Sequence, residues 1–275
     1  MRTALLQLNV SDDPSANLTA TLRRLDEAIA GGAKLIVTPE ATNILSTDRD
    51  HQNAVLQPED KDTTLAALCE KAAQAGIWLL IGSLALKGDR KFVNRSFLVD
   101  PQGQITARYD KIHMFDVEIS DSESYRESAS YQPGSRAVLA QGPAAIGMTI
   151  CYDLRFPALF RRLAQAGAQI ITVPAAFNPT TGAAHWHTLL RARAIETGCF
   201  VLAPAQCGTH PAPHSPSRTP RRSFGHSLAV APWGEVLADA GEAPGVTLVD
   251  LDLSDVAKAR SRIPSLSHDR EFTGP

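Results

Sequence analysis

Short apolar strands alternate with helical patterns from the first residues of this chain, and that alternation points to folds in which helices cover the faces of sheets. Residues 2–10 read as a strand, and Leu18, Leu22, Leu25 and Ile29 then mark one helical face that stops at Gly31-Gly32. Leu35-Ile36-Val37-Thr38 is a short apolar strand running into Pro39-Glu40. The stretch 63–76 is helical, with Leu65, Leu68, Ala72 and Ala73 on a face. Stretches 77–86 and 92–100 flank 87–91 as a hairpin, and Pro101-Gln102-Gly103 turns into a further strand at 104–109. An apolar run at 144–150 is followed by a helix opening at Pro157, a strand at 169–173 and a helix at 184–197. Strands at 200–205, 225–230, 235–238 and 246–251 complete the series. The hairpins predict mixed rather than purely parallel sheets. With no internal repeat and no interdomain linker, one domain over 1–275 is expected. Residues 208–223 stand apart, rich in Pro, His, Ser and Arg with no apolar period; they read as a long surface loop, either disordered or a lid over a site.

Composition narrows the partners. Lys plus Arg number 27 against 29 Asp plus Glu, so a net charge of −2 gives no reason to expect nucleic acid or an acidic membrane. No apolar run reaches the length of a membrane span. The N-terminal segment lacks the long core and cleavage site of a signal peptide, and four cysteines in 275 residues do not suggest a disulfide framework. Reduced thiols in a cytoplasm are expected.

Three strand ends carry reactive groups. The run 144–150 ends at Cys151, and Pro157 suits a first helical position because its missing N–H would be unpaired there. The nearby helix N-terminus would favour a thiolate and any oxyanion formed beside it. Thr38-Pro39-Glu40 places a carboxylate just past a strand, and Tyr109-Asp110-Lys111 places an ammonium in the same way. Ligands usually bind at strand carboxyl ends in α/β sheets, so the three could converge. Each alone has a plain reading: a packing cysteine, a solvated glutamate, a snorkelling lysine. Two rival chemistries use other residues. A Cys–His dyad would take His113, His185, His187 or His226 as base. A zinc site would draw on Cys199, Cys207, His210 and His214, although Cys199 and Cys207 lie on opposite sides of a predicted strand.

Taken together, Val37-Thr38-Pro39-Glu40, Tyr109-Asp110-Lys111-Ile112-His113 and Thr149-Ile150-Cys151-Tyr152-Asp153-Leu154-Arg155-Phe156-Pro157 resemble the catalytic signature of the nitrilase superfamily of carbon–nitrogen hydrolases. The resemblance implies a four-layer α-β-β-α sandwich with mixed sheets, homodimeric or higher association, and no cofactor or metal. It implies Cys151 as nucleophile, Glu40 as general base and Lys111, with the Tyr152 N–H, as oxyanion stabiliser. Glu127, ahead of Pro133-Gly134, matches a second glutamate of the family better than Glu118 does.

Further segments narrow the branch. Gly182-Ala183-Ala184-His185-Trp186, the run Leu190 to Thr197, Ala205-Gln206-Cys207-Gly208 and Gly225-His226-Ser227 are similar to the deaminated glutathione amidases. Phe177-Asn178-Pro179-Thr180-Thr181-Gly182 pulls toward the neighbouring omega-amidases, which act on 2-oxoglutaramate and 2-oxosuccinamate. The expected substrate is therefore a small 2-oxo acid amide. Both candidates carry carboxylates, and Arg155, four residues past Cys151, could bind one bidentately. Tyr152, Phe177 and Thr181 join it as expected substrate contacts. Two features depart from the branch: His187 stands where relatives usually carry a glutamate, and the 208–223 loop is long and proline-rich. Arg191, Arg193 and Glu196 have helical pairing distances, Trp186 and Trp233 read as packing anchors, and Asp153 as a turn-fixing residue.

Overall fold

A computed structural model of the chain describes residues 1–120 and 123–274. The first half supplies β1 (Arg2–Gln7), β2 (Leu35–Val37), β3 (Trp78–Lys87), β4 (Phe92–Val99) and β5 (Ile105–Asp110), then the hairpin of β6 (Asp116–Ser120) and β7 (Glu123–Arg126). The second half supplies β8 (Val138–Gln141), β9 (Ala145–Met148), β10 (Ile170–Thr172) and β11 (Phe200–Ala203). These are followed by β12 (Cys207–Thr209), β13 (Arg222–Phe224), β14 (Leu228–Val230), β15 (Val236–Asp239) and β16 (Gly245–Asp250). Two six-stranded sheets result, ordered β16-β1-β2-β3-β4-β5 and β15-β14-β11-β10-β9-β8. Both are mixed. Neighbours β1, β2 and β3 are parallel and β3, β4 and β5 antiparallel, so β2 and β5 point their carboxyl ends the same way.

The alternation of side chains along the central strands explains the layering. Ala4, Leu6, Ile36, Leu79 and Ile81 share one core with Leu25 and Ala28 of α1 (Pro14–Ala30) and with Leu65, Leu68 and Ala72 of a second covering helix. Their sequence neighbours Leu5, Leu35, Val37 and Leu80 point the opposite way, into a core shared with Ile146, Met148 and Ile170 of the other sheet. A strand buried on both faces needs this double set of apolar residues. The outer face of the second sheet is covered by Leu159, Phe160, Trp186 and Leu190 from two later helices. Helix, sheet, sheet and helix form the four layers. The short α2 (Arg49–Val55) precedes α3 (Thr63–Ala75), the covering partner of α1; α4 (Pro157–Gln165) and α5 (Pro179–Thr197) cover the second sheet, and α6 (Ser254–Arg262) ends the series.

Several expectations shift. Helix α5 starts at Pro179 rather than 184, because Asn178 accepts from the Thr181 N–H as its N-cap and Pro179 occupies the first turn. The 208–223 loop is not free of regular structure: its ends pair as the ribbon β12–β13. Its middle is tied to the N-terminal segment, with the Asp12 N–H donating to the Pro211 carbonyl and the His210 ring bonded to the Val10 carbonyl. Trp186 is fully buried as expected, but Trp233 is 47% exposed and no packing anchor. Arg193 pairs with Glu196 at 2.9 Å, while Arg191 donates instead to the Gly234 carbonyl.

Candidate active site

The glutamate comes from the end of β2. Beyond Val37 the ladder runs one residue further, the Thr38 N–H donating to the Leu80 carbonyl, and Pro39 then turns the chain. Glu40 is held at both ends: its carbonyl accepts from Gln206 Nε2 at 2.9 Å and its Oε2 from the Ala176 N–H at 2.8 Å. Gly82, inside a register shift of β3, makes room for this turn. A Cβ there would lie 1.9 Å from the Thr38 carbonyl oxygen and 2.6 Å from both the Pro39 oxygen and Pro174 Cβ. Only a glycine lets the two sheets approach this closely.

The lysine follows β5. Its N–H donates to the Asn94 carbonyl at 3.0 Å, extending the antiparallel ladder to Lys111 itself. The ammonium sits between two carboxylates, 3.0 Å from Glu40 Oε1 and 2.9 Å from Glu127 Oε2. Asn94 Nδ2 donates to Glu40 Oε1 at 2.8 Å, and the Phe115 N–H to Glu127 Oε2 at 2.6 Å. Glu118, the alternative acid, is exposed and paired with Arg126.

The cysteine opens a short 3-10 turn, Cys151–Arg155, beyond β9. Its backbone has φ +47°, a left-handed conformation that costs energy in a residue with a Cβ. Asp153 fixes this turn. Its carboxylate accepts from the Ile150 N–H at 2.8 Å, from Tyr109 Oη at 2.6 Å and from the His113 N–H at 3.1 Å, and bonds His113 Nδ1 at 2.6 Å. Tyr109 and His113 bracket Lys111, so one buried carboxylate joins the lysine strand end to the cysteine turn.

These buried charges set one another's protonation. Burial opposes ionisation of Glu40, yet Lys111 and its hydrogen bond prevail and hold the carboxyl below its ordinary range. Burial likewise opposes the Lys111 charge, and Glu127 with Glu40 overcomes it, so the ammonium is kept well above its usual pKa. Cys151 goes the other way. Burial first, then the Glu40 charge and hydrogen bond, push its thiol well above the ordinary cysteine range. The helix N-terminus was expected to favour a thiolate; instead the resting sulfur keeps its proton, and Glu40 is the adjacent acceptor for it.

Above these groups lies a cavity of about 210 Å³ lined by Glu40, Lys111, Glu127 and Cys151 at its floor. The sequence pattern of the carbon-nitrogen hydrolases matches residues 2–261 of the chain. The chain belongs to the carbon–nitrogen hydrolase family. A deaminated glutathione amidase of Yersinia enterocolitica is 39% identical over 272 residues, covering 97% of this chain and 92% of the relative. The C. elegans NitFhit protein superposes with a TM-score of 0.88 at 33% identity, covering 98% of this chain and 65% of NitFhit. Saccharomyces cerevisiae Nit3, a member of branch 10 of the nitrilase superfamily, gives 0.85 at 27% identity, with 99% of this chain and 97% of Nit3 covered. The chain is thus a carbon–nitrogen hydrolase, and its fold is that of the nitrilase superfamily.

Of the other residues expected at the hydrolase site, Tyr152, Phe177 and Thr181 line the cavity. Arg155 does not. Its guanidinium lies 5.9 Å from the Tyr152 ring centroid and 5.4 Å from that of Phe177, with Nη1 3.3 Å from His185 Nδ1, behind the wall the two rings make. The cations on the cavity surface besides Lys111 are Arg49, Arg126 and Arg221. Arg221, from the proline-rich loop, stacks 5.8 Å from the Tyr125 ring, and its charge reaches Glu40. Sequence reading grouped it only as loop charge. It also missed Asn94 and Gln206; nothing in the sequence separates a polar residue aimed at Glu40 from one facing solvent.

None of the four histidines offered as a dyad base lines the cavity; His113 serves Asp153, His185 touches Arg155, and His187 and His226 share Asp239. The proposed zinc set is not assembled either. His210 spends both ring nitrogens on the Val10 carbonyl and Ser223 Oγ, and Cys199 bonds the Ala168 carbonyl.

Proposed function

We propose that this hydrolase cleaves the terminal amide of a small 2-oxo acid, most closely deaminated glutathione, through a thioester on Cys151 with release of ammonia. The observation that carries this reading is a buried carboxylate, Glu40, bonded to the buried Lys111 ammonium at 3.0 Å and lining one cavity with the buried Cys151 thiol. Amides are poor electrophiles, so a covalent intermediate divides the reaction into two easier steps. Cys151 Sγ attacks the carbonyl carbon as Glu40 takes the thiol proton. Lys111 and the Tyr152 N–H meet the oxyanion, a donor of this kind contributing roughly 3 kcal/mol. The C–N bond breaks as Glu40 passes the proton to the leaving nitrogen. Glu40 then deprotonates a water that attacks the thioester carbonyl, and the sulfur departs and regains its proton. Glu127 positions Lys111 throughout. No step calls for a cofactor or metal.

The substrate's carbon chain rests against Tyr152, Phe177 and Thr181. Its carboxylate meets Arg221, with Arg155 adding positive field from behind the rings. A second reading, omega-amidase action on 2-oxoglutaramate or 2-oxosuccinamate, is favoured by the modest volume of about 210 Å³. The test is ammonia release from deaminated glutathione, 2-oxoglutaramate, neutral amides and simple nitriles. The preferred reading predicts the highest kcat/KM for deaminated glutathione; a higher value for 2-oxoglutaramate selects the second, and equal rates for neutral amides remove both. Arg221→Lys should lower kcat/KM for acidic amides by about tenfold or more and spare neutral ones, since a bidentate contact becomes a point charge.

The protein works as one domain over 1–275, in a cytoplasm, where its four free cysteines stay reduced. It pairs with a second copy through the face carrying Ile195, Trp233 and Ile263, which are 54%, 47% and 58% exposed. Sedimentation of Trp233→Asp should show a lighter species than the parent; an unchanged mass rejects that face.

A further inference from the structure

Away from the cavity, His187 of α5, His226 just before β14 and Asp239 at the end of β15 bring one ligand atom each to within 4.8 Å of one another. We propose that these three residues form a binding site for one divalent transition-metal ion, clipping α5 to the β14–β15 hairpin. None of the three lines the catalytic cavity, so the inference is independent of the amide chemistry.

The geometry is convergent rather than incidental. His187 Nε2 lies 2.8 Å from Asp239 Oδ2, and His226 Nδ1 lies 2.9 Å from Asp239 Oδ1, so one carboxylate receives two imidazoles on its two oxygens. The imidazole planes cross at 70° with centroids 5.4 Å apart, which aims their nitrogens inward instead of stacking them. A tetrahedral ion bound at about 2.0–2.2 Å separates its ligand atoms by roughly 3.3 Å, so each imidazole retreats a few tenths of an ångström from Asp239 while the two ring nitrogens, now within 4.8 Å, draw closer together.

Both rings and the carboxylate are braced from outside. Phe224 stacks on His226 at 4.5 Å and meets His187 edge-on at 6.4 Å. The His226 backbone is pinned by its N–H to the Gly241 carbonyl and by its carbonyl to Trp186 Nε1, and it holds φ +54° there. Asp239 Oδ1 also accepts from the Gly241 N–H. His187 and Asp239 side chains are 39% and 32% exposed, leaving a path for the ion and a fourth position for water. Two nitrogens and one oxygen select Zn²⁺, Co²⁺ or Ni²⁺ over Mg²⁺ or Ca²⁺, which prefer all-oxygen shells.

The test titrates chelator-treated full-length Cys151→Ala protein with Zn²⁺ alone by calorimetry, the alanine removing the thiol that lines the catalytic cavity. One equivalent should bind, and a hundredfold excess over Kd should raise Tm by about 5 °C. His187→Gln and Asp239→Asn should each weaken binding by about tenfold or more, and His226→Asn, which tolerates the left-handed backbone, should do the same. His187 is a half-exposed helix position, so the His187→Gln variant folds and gives the decisive arm. Absence of saturable Zn²⁺ binding, or binding unchanged in His187→Gln, overturns the proposal.

Discussion

At the scale of single residues, the proposed mechanism asks Glu40 both to restrain and to activate Cys151. Burial first, then the Glu40 charge and hydrogen bond, hold the thiol high, yet in that mechanism Glu40 is also the acceptor of its proton. Glu40→Gln therefore has opposed effects on two measurements. Amide turnover should fall by about 10²–10⁴, the usual worth of a positioned base. The pH profile of Cys151 alkylation by iodoacetamide should move to lower pH, because the substitution removes two influences that raise the thiol and leaves Lys111, which lowers it. A profile that stays in place or moves up would refute the assignment. Lys111 makes a different demand. Replaced by Met, it leaves Glu40 and Glu127 facing each other without a cation in a buried floor, and denaturant melts should show a loss of about 3–5 kcal/mol. Unchanged stability with lost activity would mean that the ammonium acts on substrate alone.

At the scale of elements, the site depends on how closely interior strands of the two sheets meet near their ends. Gly82→Ala puts a methyl 1.9 Å from the Thr38 oxygen, so the Glu40 turn must move away from Cys151. The expected outcome is a stability loss of about 1–3 kcal/mol together with a larger fall in kcat than in substrate binding, measured by unfolding and steady-state kinetics. Parent-like kcat would refute the close-approach argument. The elements were readable in sequence where periodicity is strong: β1, β3, β4, α1, α3 and the Cys151 strand all lie within a few residues of their expected spans. The strand ends bearing Glu40 and Cys151 were equally plain, because each follows an apolar run, and Lys111 follows the polar–apolar alternation of Ile105–Asp110. Helices α2 and α6 escaped notice, since seven and nine mostly polar residues carry little apolar period. The ribbon β12–β13 was hidden by its prolines, which lie between the two strands rather than in them. Gly82 did carry a signal, a lone glycine inside an apolar strand, but only the packed sheets reveal what it makes room for.

At the scale of the whole molecule, pH tests how the 208–223 loop is anchored to the rest. Burial, with a smaller push from Arg221, brings His210 down to about 4 from an ordinary 6.5, although its bond to the Val10 carbonyl favours the proton. A lowered folded-state pKa means that stability is fully present above the unfolded value near 6.5 and is lost as pH falls toward 4. Thermal unfolding should show a decline of about 3 kcal/mol across that window, and His210→Gln should flatten it. An identical slope in the variant would place the acid sensitivity elsewhere. The distribution of fixed charge over the cavity has a consequence of its own. Glu40 and Glu127 surround Lys111 on its lining, Arg221 is half-buried with Nη2 3.4 Å from the Ala176 carbonyl, and Arg49 and Arg126 are exposed. On the proposed function, a substrate carboxylate is repelled by Glu40 and Glu127 and attracted by the arginines, so an acidic amide would present its nitrogen end to Cys151. On that reading the cavity would work as a ruler: it favours molecules whose amide and carboxylate match the spacing between Cys151 and the arginines on its lining, and shorter acids reach one only by letting go of the other.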